Sequence, residues 1–302
     1  MKASGLWLSL LVAAAAPVSA QVTVEVTQDQ DQFLPAEPVL TAVRITNRSG
    51  RDLHLGREPD WLTFSVQSRE VEVVPKIGDP PVVGEFVLES SRVATKHVDL
   101  APCFALTHSG RYSVTAIVRI KEWNLTIASQ PRSFDIIDGA RLWEQDVGLP
   151  LPEGQTNGTP EVRKFILQEA NYLRGQLRLY VRLTDASGAR TFTIYPIGPM
   201  VSFSRPEPQV DKFSNLHLLY QEGPHAFLYT VINPQGEIIA RRTYDYVDKH
   251  PRLEPDADGK IMVVGGVRRA VPSDLPPDPA STPGEQPPKP MPAPGEIMVP
   301  AS

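Results

Sequence analysis

The chain predicts an all-β protein with more than one domain, and three observations carry that expectation. Short runs of alternating apolar and polar residues recur from Gln21 to Ile137 with turn residues between them. A second region repeats itself with a period near 50 residues, and no stretch of useful length shows the 3.6-residue apolar period of a helix. The 302 residues are 41% hydrophobic and 22% charged, which suits one large or two ordinary globular domains.

The elements begin after an export leader. Lys2 gives a basic start, Leu6 to Ala16 carries no charge, and Pro17 precedes Val18-Ser19-Ala20. Small residues at Val18 and Ala20 suit signal peptidase, so residues 1–20 are expected to be removed and the mature chain to begin at Gln21. No cysteine follows the apolar run, which argues against a lipid anchor, and no later apolar segment approaches the roughly 20 residues a membrane span needs. The expected location is secreted or periplasmic.

From Gln21 to Ile137 about seven strands are expected. They are Val22–Val26, Val39–Ile45, Leu53–Leu55, Trp61–Val66, Phe86–Leu88, Arg111–Ile120 and Phe134–Ile137. The longest places Tyr112, Val114, Ala116 and Val118 on one face. Turn signals at Asn47-Arg48-Ser49-Gly50, Gly78-Asp79-Pro80-Pro81 and His108-Ser109-Gly110 separate them, the pattern of an antiparallel sandwich. Trp61 and Trp123 are expected in its core rather than as ligand platforms.

Two segments of this region carry a resemblance. Pro35-Ala36-Glu37-Pro38-Val39, followed by Val43 through Leu53, resembles the opening of immunoglobulin-like domains in exported bacterial proteins. Leu106 through Val114 is similar to the tyrosine corner of such folds, with Tyr112 as the tyrosine. Val114 stands where antibody domains place their second cysteine, so that disulfide is absent. The order of segments is similar to the bacterial intracellular proteinase inhibitor family, over roughly 115 residues. The resemblance implies an Ig-like sandwich over residues 21–137 and, through that family, proteinase inhibition. The export leader departs from an intracellular inhibitor, and no inhibitory loop is identifiable.

Residues 138–159, with Leu149-Pro150-Leu151-Pro152-Glu153-Gly154, read as a linker. The repeat occupies 160–269. Phe165–Glu169 followed by Leu179–Gly188 matches Leu218–Glu222 followed by Leu228–Gly236, and Tyr180 and Tyr229 stand 49 positions apart. A third, partial copy begins at Lys260–Gly266. The period resembles that of β-propeller blades, but a closed ring needs about four or more of them. An open arc of blade-like units, a ring from several chains and a second small sandwich all remain open. Residues 270–302 hold 11 prolines in 33 positions and are expected to be disordered or extended, as a spacer or as a ligand for an aromatic groove.

Chemistry is sparse. The net charge of −5 with scattered basic residues excludes the positive stripe that nucleic acid or anionic lipid requires. Cys103 is the sole cysteine, so no internal disulfide forms. Its neighbours Leu100, Ala101, Pro102 and Phe104 suggest a buried hydrophobe rather than a nucleophile or an intermolecular bridge. Asn47, Asn124 and Asn157 head glycosylation sequons that also read as ordinary turns. The histidines His54, His97, His108, His217, His225 and His250 lack metal spacing, and His217, between Leu216 and Leu218, reads as a structural histidine. Glu254, Asp256 and Asp258 with Gly259 resemble the first half of a calcium loop. Glu254 replaces the usual leading Asp and Gly265 the closing Glu, and Asp258-Gly259 is also a hairpin signal. Glu169 and Glu222 recur at matched places and would serve glycoside hydrolysis only if they faced one another.

These readings imply an exported, non-enzymatic binding or scaffolding protein without a cofactor, engaging a protein or cell-surface partner through strand edges, loops or the face between domains. The alternatives are an extracytoplasmic proteinase inhibitor and a hydrolase acting on polysaccharide or peptide.

Overall fold

The computed structural model describes residues 21–69, 74–82, 84–149, 161–172 and 176–276. Residues 1–20 (expected as a leader), Asn157 and the residues beyond Pro276 lie outside the described residues. The protein is all-β: among the described residues the only helical element is a single 3-10 turn at Lys121–Trp123.

The alternating segments of the first region build two sheets over one core. One has the order β1-β3-β7, from β1 (Val22–Thr27), β3 (Leu40–Asn47) and β7 (Val93–Asp99), all antiparallel. The other is β2-β10-β8-β5, from β2 (Gln32–Phe33), β5 (Leu62–Ser68), β8 (Gly110–Ile120) and β10 (Arg132–Ile136). Strand β9 (Leu125–Ala128) also pairs with β8, and β4 (Leu53–Leu55) pairs with β6 (Phe86–Leu88). Period-two patterning decides which side chains go inside. Tyr112, Val114, Ala116 and Val118 of β8 are all buried, opposite Val43 and Ile45 of β3 in the same core cluster. Trp61 belongs to that core, with its indole Nε1 donating to Val82 O at 3.2 Å, and Trp123 packs at its margin. Strands β2, β7 and β9 were not legible as alternation. β2 has two residues and β7 buries only Val98 deeply, so neither presents a clean apolar stripe.

The corner before β8 is tied as its sequence suggests. Tyr112 Oη donates to His108 O at 2.8 Å, while its ring stacks on Phe134 with centroids 5.7 Å apart. The Leu34–Glu37 segment is closed by Glu37, whose carboxylate accepts from Leu34 N at 2.7 Å and Gln30 Nε2 at 2.9 Å. Asn47 is a buried turn residue: its amide donates to Arg51 O and Leu88 O, which leaves no exposed acceptor for a glycan.

Each repeat copy falls in an antiparallel meander. The first runs β11 (Ala140–Gly148), β12 (Val162–Tyr172), β13 (Gln176–Asp185), β14 (Thr191–Pro199), with neighbours in chain order. The second runs β15 (Glu207–Val210), β16 (Leu216–Gln221), β17 (Ala226–Ile232), β18 (Ile238–Asp245), and β21 (Val267–Arg269) is added at its edge. Tyr180 and Tyr229 occupy the third strand of their respective meanders. The partial third copy makes a hairpin, β19 (Arg252–Pro255) with β20 (Ile261–Val264). β11 lies within the stretch that reads as a linker, because its side chains are mostly exposed and alternation is absent there.

Contacts divide the chain into two compact units, Met1–Asp146 with Val162–Pro199 and Val147–Glu161 with Met200–Ser302. In the first unit, Leu34 packs with Ala170, Tyr180 and Ile194 of the β11–β14 sheet. In the second, residues 270–276 are held in place. Asp274 is buried, its carboxylate accepts from Val271 N and pairs with Arg268, and Leu275 exchanges two backbone hydrogen bonds with Arg241.

One hairpin device recurs. Asp211, Asn233 and Asp256 each place a side-chain oxygen on the backbone N–H groups two and four residues later. The fourth residue of each turn is left-handed: Ser214 at φ 66°, Gly236 at φ 89°, Gly259 at φ 75°. Asp185 uses a one-residue-longer version, accepting from Arg190 N, with Gly188 at φ 77°.

Replacing Tyr112 with Phe removes one hydrogen bond and leaves the ring stacking. Denaturant melts should register a loss of about 1 kcal/mol with an unchanged m-value. An unchanged midpoint would show that the hydroxyl does not help to hold the corner.

Candidate functional site

The site grows out of register in the second unit. In the β16–β17–β18 sheet, His217 lies opposite Val231, Leu219 opposite Tyr229, and Tyr229 opposite Arg242. Side chains two apart share a face, so His217, Tyr229, Val231, Ala240, Arg242 and Tyr244 all project from one side. The β19–β20 hairpin covers part of that side. Leu253 and Ile261 pack there on Leu219, Phe227, Tyr229 and Val231. Its strand β19 is pinned by Leu253, whose N–H donates to Glu207 Oε2 at 3.0 Å and whose carbonyl accepts from Gln209 Nε2 at 3.1 Å.

The uncovered part is a cleft of about 660 Å³ between the sheet face and the hairpin. Its volume falls within the range of small-molecule sites. Val231, Ala240, Ile261 and Val263 give it apolar walls; Phe213, Ile239 and Met262 stand exposed at its edge.

A three-residue relay crosses the wall. His217 is buried, with Nε2 3.2 Å from Asp211 Oδ2 and Nδ1 2.7 Å from Tyr229 Oη. A carboxylate only accepts, so Nε2 carries a proton; in the singly protonated ring Nδ1 then accepts from the Tyr229 hydroxyl. Tyr229 itself lines the cleft. Asp211 completes the chain from its turn, where Oδ1 accepts from the backbone of Phe213 and Asn215 while Oδ2 also accepts from Asn215 Nδ2. Burial by itself would raise the Asp211 carboxyl, but the hydrogen bonds from Asn215, His217 and Phe213 hold it below its ordinary 3.8. Burial pushes the Tyr229 phenol up to about 12, aided by the neighbouring Tyr244 and opposed by the charge of Arg242. The phenol is therefore firmly protonated at neutral pH, and both imidazole nitrogens are engaged.

The residues singled out by sequence are placed as follows. His217 is a hydrogen-bonded interior histidine and also lines the cleft. Asp256 caps the β19–β20 turn through Oδ1, Glu254 pairs with Arg252 at 2.5 Å, and Asp258 lies at the cleft. Among the described residues no group of three or more His, Cys, Asp or Glu side chains is arranged to hold a metal. Glu169 is half-buried within β12 in the first unit and Glu222 half-buried just after β16 in the second. Cys103 is buried, and its thiol is pushed up by burial and by the carboxylates of Asp99 and Asp79, the reverse of an activated nucleophile. Asp211 and Tyr229 escaped sequence reading; the one signal for them was the Tyr229 repeat position beside a histidine-bearing strand.

No family model and no curated protein matches the chain. Among solved structures, the crystal structure of Spo0M, a sporulation control protein from Bacillus subtilis, is similar at 13% identity over 56% of this chain and 82% of that one. Its TM-score of 0.29 is too low to transfer fold or function. No helix among the described residues is long and apolar enough to cross a membrane.

The relay gives stability a pH dependence at both ends. The folded protein holds the Tyr229 proton more tightly than an unfolded chain, whose tyrosines titrate near 10. That contribution is complete below pH 10 and declines as pH rises from about 10 to about 12. Asp211 has the opposite sign: its contribution is complete above 3.8 and is lost as pH falls through its depressed value. Urea melts of the native chain and Tyr229→Phe should therefore differ by about 1–2 kcal/mol at pH 8, with the gap closing toward pH 12. A gap independent of pH would show that Tyr229 titrates normally.

Proposed function

We propose that this is an exported, non-catalytic binding protein, and that the cleft between the β15–β18 sheet and the β19–β20 hairpin is its ligand site. One observation carries the reading: a fully connected Asp211–His217–Tyr229 relay is built into the wall of an open cleft of ligand size. Three apolar residues would have closed a sheet face without the desolvation that buried polar groups cost. A relay ending in a cleft makes sense as a fixed recognition element, since its hydroxyl is oriented before any ligand arrives. The phenol, pushed up to about 12, keeps its proton, which suits a hydrogen-bonding group rather than a nucleophile. Placement outside the cytoplasm is supported by the leader at residues 1–20.

Protein-observed NMR with a small-fragment mixture tests the ligand site. Bound fragments should shift the amides of Tyr229, Val231, Ala240 and Val263 and leave the β1–β10 sandwich unperturbed. Shifts centred on the sandwich, or none in the cleft, would refute the assignment. Expression of the full sequence in a bacterial host should yield a soluble exported chain whose N-terminal residue is Gln21. Retention of Met1 in the cytoplasm would remove the exported half of the reading.

A further inference from the structure

The charges around the cleft go further than its volume. Lys212, Arg242 and Lys260 all line it, and none has a carboxylate partner among the described residues. By contrast Arg252, Arg268 and Arg269 of the same unit pair with Glu254, Asp274 and Asp245. Two carboxylates also line the cleft. Asp211 is engaged by Asn215, Phe213 and His217, and Asp258 is the other, so three cations face two carboxylates and the lining is net positive.

Two of those cations are positioned by the fold. Arg242 stands directly across the β17–β18 ladder from Tyr229, on the face that forms the cleft floor. Lys260 is fixed at the foot of the β19–β20 turn, where its backbone N–H donates to Asp256 Oδ1 at 2.8 Å. One cation therefore comes from the sheet and one from the hairpin, with Val231, Ala240, Ile261 and Val263 making the apolar walls. Tyr229, whose hydroxyl is hydrogen-bonded to His217, lines the same space.

We infer that the cleft takes a small amphiphilic carboxylate: an anionic group held by Arg242 and Lys260, an apolar body between the walls, and an N–H or O–H on that body donating to Tyr229. Arg242 supplies the planar fork that matches a carboxylate, and Lys260 adds a mobile second charge. Lys212 lies 5.3 Å over the exposed Phe213 ring at the cleft edge, where it adds to the attracting field without a fixed contact. The inference rests on the cleft being the ligand site, and its test separates the two claims.

Three probes share an indole body with one ring N–H and carry a short side chain that ends anionic, neutral or cationic: indole-3-acetate, indole-3-acetamide and tryptamine. Each is titrated into the mature chain while the amides of Val231, Ala240 and Met262 are followed by NMR. The acetate should bind at least about tenfold more tightly than the acetamide, and tryptamine most weakly. The double variant Arg242→Gln, Lys260→Gln should abolish that margin while leaving acetamide binding within about twofold. Both residues are exposed, so the variant should fold as the native chain does, which unshifted amides of Leu218 and Ile232 in the same unit will show. Equal binding of acetate and acetamide would overturn the anionic ligand and leave the cleft standing as a site. If no probe perturbs the cleft at millimolar concentration, both the ligand class and the site fall.

Discussion

Register is the constraint on which everything else in the second unit depends. A strand that slips by one residue turns its apolar set outward, and here no disulfide opposes such a slip. The hairpins at Asp211, Asn233 and Asp256 do so instead. Each fixes its turn with two side-chain-to-backbone hydrogen bonds and a left-handed fourth residue, so that the strands leave with a defined alignment. From the Asp211 turn it follows that His217 points to the same face as Tyr229 and Arg242. From the Asp256 turn it follows that Ile261 and Val263 are presented to that face. The cleft is the gap left where two such fixed elements meet without covering one another.

Asp211 serves both levels at once. Oδ1 belongs to the turn, as the equivalent oxygens of Asn233 and Asp256 do, whereas Oδ2 continues to His217. At Asn233 the amide nitrogen lies on Glu237 instead, and no relay follows. The turn at Asp211 is also the one with a serine in the left-handed position. There Ser214 gives up the ease of glycine and gains a 2.7 Å hydrogen bond from its hydroxyl to Gly148 O. The wall of the cleft is thus tied to the backbone on two sides.

What was legible in the sequence tracks what is local. Alternation showed β1, β3, β5 and β8 because each buries one face, and the left-handed Gly236 and Gly259 announced their hairpins. Strand β11 was hidden because its order comes from pairing with neighbours rather than from an apolar stripe. The turn at Asp211 was hidden because Ser214 replaces the glycine that marks the others. His217 was readable as an interior histidine, since it sits between leucines in a strand buried on both faces. That it meets Tyr229 was not readable, because the pairing His217 to Val231 that brings the phenol alongside is fixed by a ladder, not by spacing. The Asp258-Gly259 pair gave the hairpin but not its second role, in which the residue after the glycine reaches the cleft.

The site has the parts of a catalytic triad, and on the proposed reading it holds a ligand instead. In a triad the hydroxyl passes its proton to the imidazole and its oxygen then bonds to the substrate. Here burial pushes the phenol up to about 12, and the His217 ring, though buried, belongs to the cleft lining. The Tyr229 hydroxyl is held against His217 in the cleft wall. Such an oxygen discriminates by presence or absence of a donor on the ligand, because a partner lacking one leaves it desolvated and unpaired. Specificity then comes from rigidity, and rigidity from the turn at Asp211.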